Sequence, residues 1–235
     1  MATSKKSRKE LLKKPDEFMT FTGKTIRLVS DYQKPISYAL CAIVAVILVI
    51  FGYRFFAQRT EAKAFSMLGQ TLAKYEAHKK ATSADEAYRN VSEEFQRIVE
   101  KYGGNAAGKL ARASYANICY DAGDYNKAIE LYKRSLNDFK DHPMVYNLIL
   151  SGLAYAYQQI GDNPNAAMYF EKVASATDSN NRDEALFNLG MLYEKLGDTN
   201  KSHQAFKQFL SSYPNSMYFD IVEEKLSEKG PDSSS

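Results

Sequence analysis

Hydrophobic and polar positions along this chain follow two different patterns. From Pro35 to Tyr53 nineteen residues pass without a charge, and Leu40–Phe51 is apolar on every side. A helix needs about 20 apolar residues to cross the hydrocarbon of a bilayer, so this run predicts a single membrane span. Downstream, apolar positions recur every three or four residues in segments broken by Gly-Asp, which predicts short amphipathic helices joined by tight turns. The segments also repeat one another. Leu186, Leu189-Gly190, Tyr193, Gly197-Asp198, Ser202, Phe206 and Pro214 line up with Leu150, Leu153-Ala154, Tyr157, Gly161-Asp162, Ala166 and Phe170. Tyr115-Ala116, Gly123-Asp124-Tyr125, Ala128 and Tyr132 form a third copy, with Arg112 and Cys119 departing from the pattern.

These copies are similar to the tetratricopeptide repeat, a helix–turn–helix of roughly 34 residues whose units stack into a solenoid. The spacing has a physical basis. Small residues at Ala116, Ala154 and Gly190 let paired helices approach, and an aromatic 16 positions later, at Tyr132, Phe170 or Phe206, fills the gap toward the next unit. The turn glycines lie 38 and 36 residues apart, so loops between units run slightly longer than the minimum. A degenerate first unit is read upstream, with Phe65, Leu68-Gly69 and Leu72 on one helix and Val91 and Phe95 on the other. Its small-to-aromatic spacing is 26, and the extra stretch Ala77–Glu86 is read as an enlarged loop or extended helix ends. Phe219, Val222 and Leu226 predict a terminal helix of the kind that solenoid ends require. The expected fold is all-α: one N-terminal transmembrane helix followed by a tetratricopeptide α-solenoid. The expected divisions are a basic arm (1–34), the span (35–56), the repeat domain (57–228) and a disordered tail (229–235).

Charge then gives the span a direction. The formal charge of +3 hides an arm with nine Lys/Arg and four acids; with Arg54 at the end of the span counted as well, residues 57–235 carry a net of −3. The positive-inside rule puts the arm in the cytoplasm and the repeats outside, in the periplasm if the membrane is a bacterial inner membrane. Tyr32, Tyr38, Tyr53, Phe55 and Phe56 stand where interfacial aromatics belong. Phe18, Phe21, Leu28, Val29 and Tyr32 allow an amphipathic helix on the inner leaflet, although Gly23 interrupts it and a flexible tail fits as well. A cleavable signal is not expected, because the apolar run begins behind a long polar arm and no small-x-small site follows it. The mildly acidic repeat domain is not expected to bind nucleic acid.

No catalytic constellation accompanies the repeats. His78, His142 and His203 are scattered, Cys41 and Cys119 do not pair, and no phosphate loop, nucleophile elbow or dinucleotide fingerprint occurs. No enzyme activity, cofactor or metal is therefore expected. What remains is surface. Stacked first helices of such repeats line a groove that receives an extended peptide or a helix. By the repeat register its candidate residues are Asn117, Tyr120 and Asp121, then Leu148, Tyr155, Gln158 and Gln159, then Phe187, Met191, Glu194 and Lys195. Leu148, Tyr155, Phe187 and Met191 would form an adaptable apolar strip. Ala113 and Ser151 occupy places where a carboxylate-gripping groove would use lysine, so that mode is disfavoured.

A basic arm, one span, an immediate helical hairpin and extracytoplasmic repeats together resemble the YfgM-like ancillary proteins of the bacterial Sec translocon. The resemblance implies protein partners: translocon subunits, exported polypeptides or other envelope proteins. Its implied role is a membrane-anchored, chaperone-like factor of protein export. An envelope-assembly scaffold with one fixed partner is the alternative. An import receptor with cytosolic repeats is a third layout, which the charge bias opposes.

Overall fold

A computed structural model describes Gly23, residues 33–177 and residues 179–228. The possible amphipathic helix of the arm, apart from Gly23, and the C-terminal tail lie outside the described residues. Among the described residues the structure is helical without strands: α1 Gln33–Ala81, α2 Ala84–Tyr102, α3 Ala106–Asp121, α4 Tyr125–Asp138, α5 Pro143–Gln159, α6 Asn163–Ser175, α7 Arg182–Lys195, α8 Thr199–Ser212 and α9 Phe219–Glu228. The chain divides into two units, Met1–Arg59 and Thr60–Ser235.

In the first unit, α1 is long and apolar enough to cross a bilayer, with a mean hydropathy of 2.5 over its best window and none of that window buried. Val49, Phe51 and Tyr53 leave more than two-thirds of their surface open. Apolar side chains arranged around a helix with no protein against them match lipid as a solvent better than water.

The second unit is an α-solenoid of helix pairs, and one dipeptide builds its corners. Gly123, Gly161 and Gly197 take φ of +84°, +79° and +78°, a left-handed conformation that costs glycine no Cβ clash. The following aspartate then closes two helices at once. The Asp124, Asp162 and Asp198 N–H groups donate back to the carbonyls of Cys119, Tyr157 and Tyr193 at 2.9, 3.0 and 2.9 Å. Their carboxylates accept the first-turn N–H groups of Lys127, Asn165 and Lys201 at 3.2, 3.3 and 3.0 Å. A C-terminal carbonyl and an N-terminal donor, both orphans of helix geometry, are thus satisfied from one residue.

Packing follows the predicted small–large alternation. Ala116, Ala128, Ala154 and Ala166 are fully buried, as are Phe95 and Phe209. Gly190 lies against the Phe206 ring of its own pair. Tyr132 instead reaches forward into the next pair, where a Cβ on Gly152 would sit 2.6 Å from its ring. Between the first pair and the second, Phe95 of α2 stacks on Tyr115 of α3 with centroids 5.3 Å apart and planes 2° from parallel.

The first pair departs from the sequence reading. Phe65 is 43% exposed, and a Cβ on exposed Gly69 would meet nothing within 4 Å, so neither occupies the predicted core position. The buried stripe of α1 is Ala64, Leu68, Thr71 and Tyr75, which keeps the predicted Leu68, with Leu72 packed beside it. The inserted stretch extends the helices: only Thr82 and Ser83 separate α1 from α2, and Ser83 caps the latter through the Glu86 N–H at 3.2 Å. With both helices lengthened, this pair is free of the strict repeat register. At the other end, α9 covers the last pair, with Val222 fully buried and Phe219 and Leu226 packed on the core.

Candidate functional site: the face of the first helices

The helices α3, α5 and α7 present the candidate groove residues, and their neighbours treat them unequally. Near α3, Asn117 accepts the Tyr132 hydroxyl at 2.6 Å. Asp121 pairs with Lys79 from the end of α1 at 2.5 Å and takes a longer bond from the Tyr75 hydroxyl, 3.4 Å. The Asp121 carboxylate holds the Lys79 ammonium charged, raising its pKa. Tyr120 is half-buried, its edge on the Tyr125 ring at 5.4 Å. Burial pushes its phenol up, with a weaker opposing pull from Gln159 of α5.

The α5 residues are mixed. Tyr155 is fixed on three sides: its hydroxyl donates to Glu184 at 2.6 Å, accepts from Asn188 at 3.0 Å, and its ring meets Phe170 edge-on at 5.0 Å. Burial, then the Glu184 contact and charge, push its pKa well above the usual phenol range. Leu148, in contrast, is 58% exposed. Gln158 shares a shallow cleft with Met191, Glu194, Lys195 and Lys225.

On α7 the terminal helix and its approach intervene. Phe187 stacks on Tyr218 with centroids 4.5 Å apart and planes 9° from parallel. Lys225 of α9 donates to Glu194 at 3.2 Å. Met191 is half-buried, and Lys195 remains exposed. The predicted strip of Leu148, Tyr155, Phe187 and Met191 is therefore one open residue and three partly covered ones. Register alone places residues on this face; it does not say which of them a terminal helix will cover.

Two features escaped the sequence reading. Arg112, noted there only as a departure, forms an ion pair with Asp138 and also donates to the Gly103 carbonyl at 3.4 Å, with both pair members largely buried. The second is a cleft at the start of α5, lined by Met144, Asn147, Leu148, Ser179, Asn180 and Asn181. Its signal was present as the polar run before α7, in a loop longer than the minimum. No group of three or more metal-ligating side chains occurs among the described residues.

Comparison with known proteins supports the fold. Residues 184–216, which hold the α7–α8 pair, match the tetratricopeptide repeat family. No curated protein matches the chain. Among solved structures, the nearly identical TPR-like repeats of a Podosopora anserina kinesin light chain superpose with a TM-score of 0.54 at 14% identity, covering 72% of this chain and 85% of that one. A tetratricopeptide repeat protein from Parabacteroides merdae gives 0.53 at 17% identity, covering 67% of this chain and 58% of that one. BtubC from P. vanneervenii gives 0.51 at 14% identity, covering 79% and 87%. At such identities the likeness is one of fold: an all-α tetratricopeptide-type solenoid.

Proposed function

We propose that this protein is a membrane-anchored binding scaffold that holds polypeptides on the face of its first repeat helices, outside the cytoplasm and beside the protein-export machinery. One observation carries the reading. Gln158 of α5, Met191 and Lys195 of α7 and Lys225 of α9 line one cleft, and Leu148 at the other end of α5 is 58% exposed. Mixed apolar and amide surface of this kind suits a peptide backbone with occasional apolar side chains. The charge asymmetry about the α1 apolar segment supports an N-terminus inside and repeats in the periplasm of a bacterial inner membrane. The resemblance to YfgM-like proteins supports export as the setting.

A second reading is an envelope-assembly scaffold for one fixed partner. It is favoured by the rigidity of part of the face, where Tyr155 is held by Glu184 and Asn188, and Phe187 by Tyr218. Such pre-organisation favours a single complementary surface over promiscuous contacts.

Protease treatment of right-side-out spheroplasts tests the orientation. Digestion of the repeat domain, with a tag on residues 1–34 protected, is the expected result. Protection of the repeats until lysis overturns the periplasmic reading. Photocrosslinking from Gln159 then separates the two roles: many exported chains indicate the export factor, and one protein at fixed stoichiometry indicates the scaffold.

A further inference from the structure

The last helix pair carries a cleft that the pair before it keeps filled. Counted from the Gly-Asp corners, Tyr193 stands where Tyr157 does, and Ala205 stands where Tyr169 does. In the earlier pair Tyr169 stacks on Tyr157, with centroids 5.6 Å apart and planes 10° from parallel. Lys133 of α4 lies over Tyr157 as well, 5.3 Å from its centroid. In the last pair Glu171 takes the place of Lys133 and accepts the Tyr193 hydroxyl. Ala205 offers a methyl group and no ring, and the flexible Lys201 lies over Tyr193 at 5.0 Å. Leu186 and Leu189 repeat Leu150 and Leu153, so the walls are kept while the plug is lost. The result is a cleft with Leu186, Leu189, Tyr193 and Ala205 as its buried floor. Glu171, Lys201, Gln204 and Gln208, all exposed, form its rim.

We propose that this cleft receives a tyrosine side chain of a partner polypeptide, with carboxylates beside it in that partner's sequence. The chain's own repeat identifies the occupant, because a phenol ring fills matching walls one pair earlier. An arriving ring would stack on Tyr193 as Tyr169 stacks on Tyr157, and the Lys201 ammonium adds a cation–π contact. The Gln204 and Gln208 amides at the rim both donate and accept, which suits a phenol hydroxyl. Charge selects the neighbours of that ring. Helix α8 carries exposed Lys201 and Lys207 and no acid. Glu171, the carboxylate of the rim, is already bonded to the Tyr193 hydroxyl, so the lysines favour an acidic segment. Leu186, Leu189 and Tyr193 lie on one side of α7, while Met191 and Lys195 line the other cleft. The site is thus a second surface, and it stands whether or not the face of the first helices binds polypeptide.

The test uses the full-length protein in detergent micelles and end-capped ten-residue peptides of Ser, Gly and Gln. The central triplet is Asp-Tyr-Asp, with a fluorine on the tyrosine ring so that fluorine NMR follows the titration. Matched peptides carry Lys-Tyr-Lys or, as an unlabelled competitor, Asp-Ser-Asp. The Asp-Tyr-Asp peptide should bind best, the Lys-flanked one at least about threefold more weakly, and the serine peptide should not compete. Ala205→Tyr restores the plug from within and should weaken binding at least about tenfold. Gln204→Glu, at an exposed rim position, should weaken the Asp-flanked peptide about fivefold and favour the Lys-flanked one. Should Ala205→Tyr not fold by circular dichroism, Gln204→Glu decides alone. Equal competition by the serine peptide, tighter binding of Lys-Tyr-Lys by the unaltered protein, or unchanged binding in either folded variant overturns the proposal. Binding that survives Ala205→Tyr but is lost in Met191→Asp belongs to the face of the first helices and overturns this cleft alone.

Discussion

Gly190 lies flat against the ring of Phe206, with no room between α7 and α8 for even a methyl group. The side chain that is missing there sets the separation of the last helix pair.

Gly190→Ala is therefore expected to destabilise the repeat domain by about 1–3 kcal/mol, the usual cost of overpacking. Gly69→Ala is the contrasting substitution. A Cβ there meets nothing, and relieving a helical glycine should add about 0.5–1 kcal/mol. Urea unfolding of both variants, followed by circular dichroism, checks the pair of signs; destabilisation by both would mean that Gly69 faces the core after all.

The buried pair of Arg112 and Asp138 should behave asymmetrically. Arg112→Met leaves the Asp138 carboxylate enclosed without its partner and is expected to cost about 3–5 kcal/mol. Replacing both residues, with Met at 112 and Leu at 138, should recover most of that loss, because the desolvation penalty leaves with the charges. A double-mutant cycle on urea midpoints measures the recovery.

Alkaline solution should weaken the fold. Burial keeps the Cys119 thiol neutral and, with the charge of Asp124, raises its pKa from 9.0 to about 12. Burial raises Tyr88 and Tyr115 beside it as well. The unfolded chain releases these protons at their ordinary values while the folded chain retains them, so the stabilisation is complete below about pH 8.5 and is lost as pH climbs toward 12. The urea midpoint is expected to fall steadily from pH 9 to pH 11. In a Cys41→Ser background, maleimide at pH 8 should label Cys119 only after unfolding.

The sequence carried the three regular pairs because their register depends on a few local requirements. Small residues at Ala116, Ala154 and Gly190, and a Gly-Asp corner, are each dictated by close approach or backbone sign. The first pair was less legible. Its motif match chose Phe65 and Gly69, but α1 and α2 are lengthened, and the face that meets α3 is set by tertiary contacts such as Glu61 accepting the Ala107 N–H at 2.8 Å. Arg112 looked like a flaw in the repeat because its partner lies 26 positions away and no local pattern announces it. The candidate face was legible as an address and not as an environment. Tyr155 and Phe187 stand where the register puts them, but Glu184 and Tyr218, which hold them, come from other helices.

The Gly-Asp corners have a mechanical consequence. Each joins two helices by a hinge of the same shape, and the pairs are stitched mainly to their immediate neighbours. A load applied at the C-terminal end would meet no single lock: α9 would peel first, then the α8–α7 pair, each release lengthening the chain while the pairs behind it kept their form. Such an assembly yields in steps under tension, like a ratcheted spring, and re-coils from whichever corners remain closed.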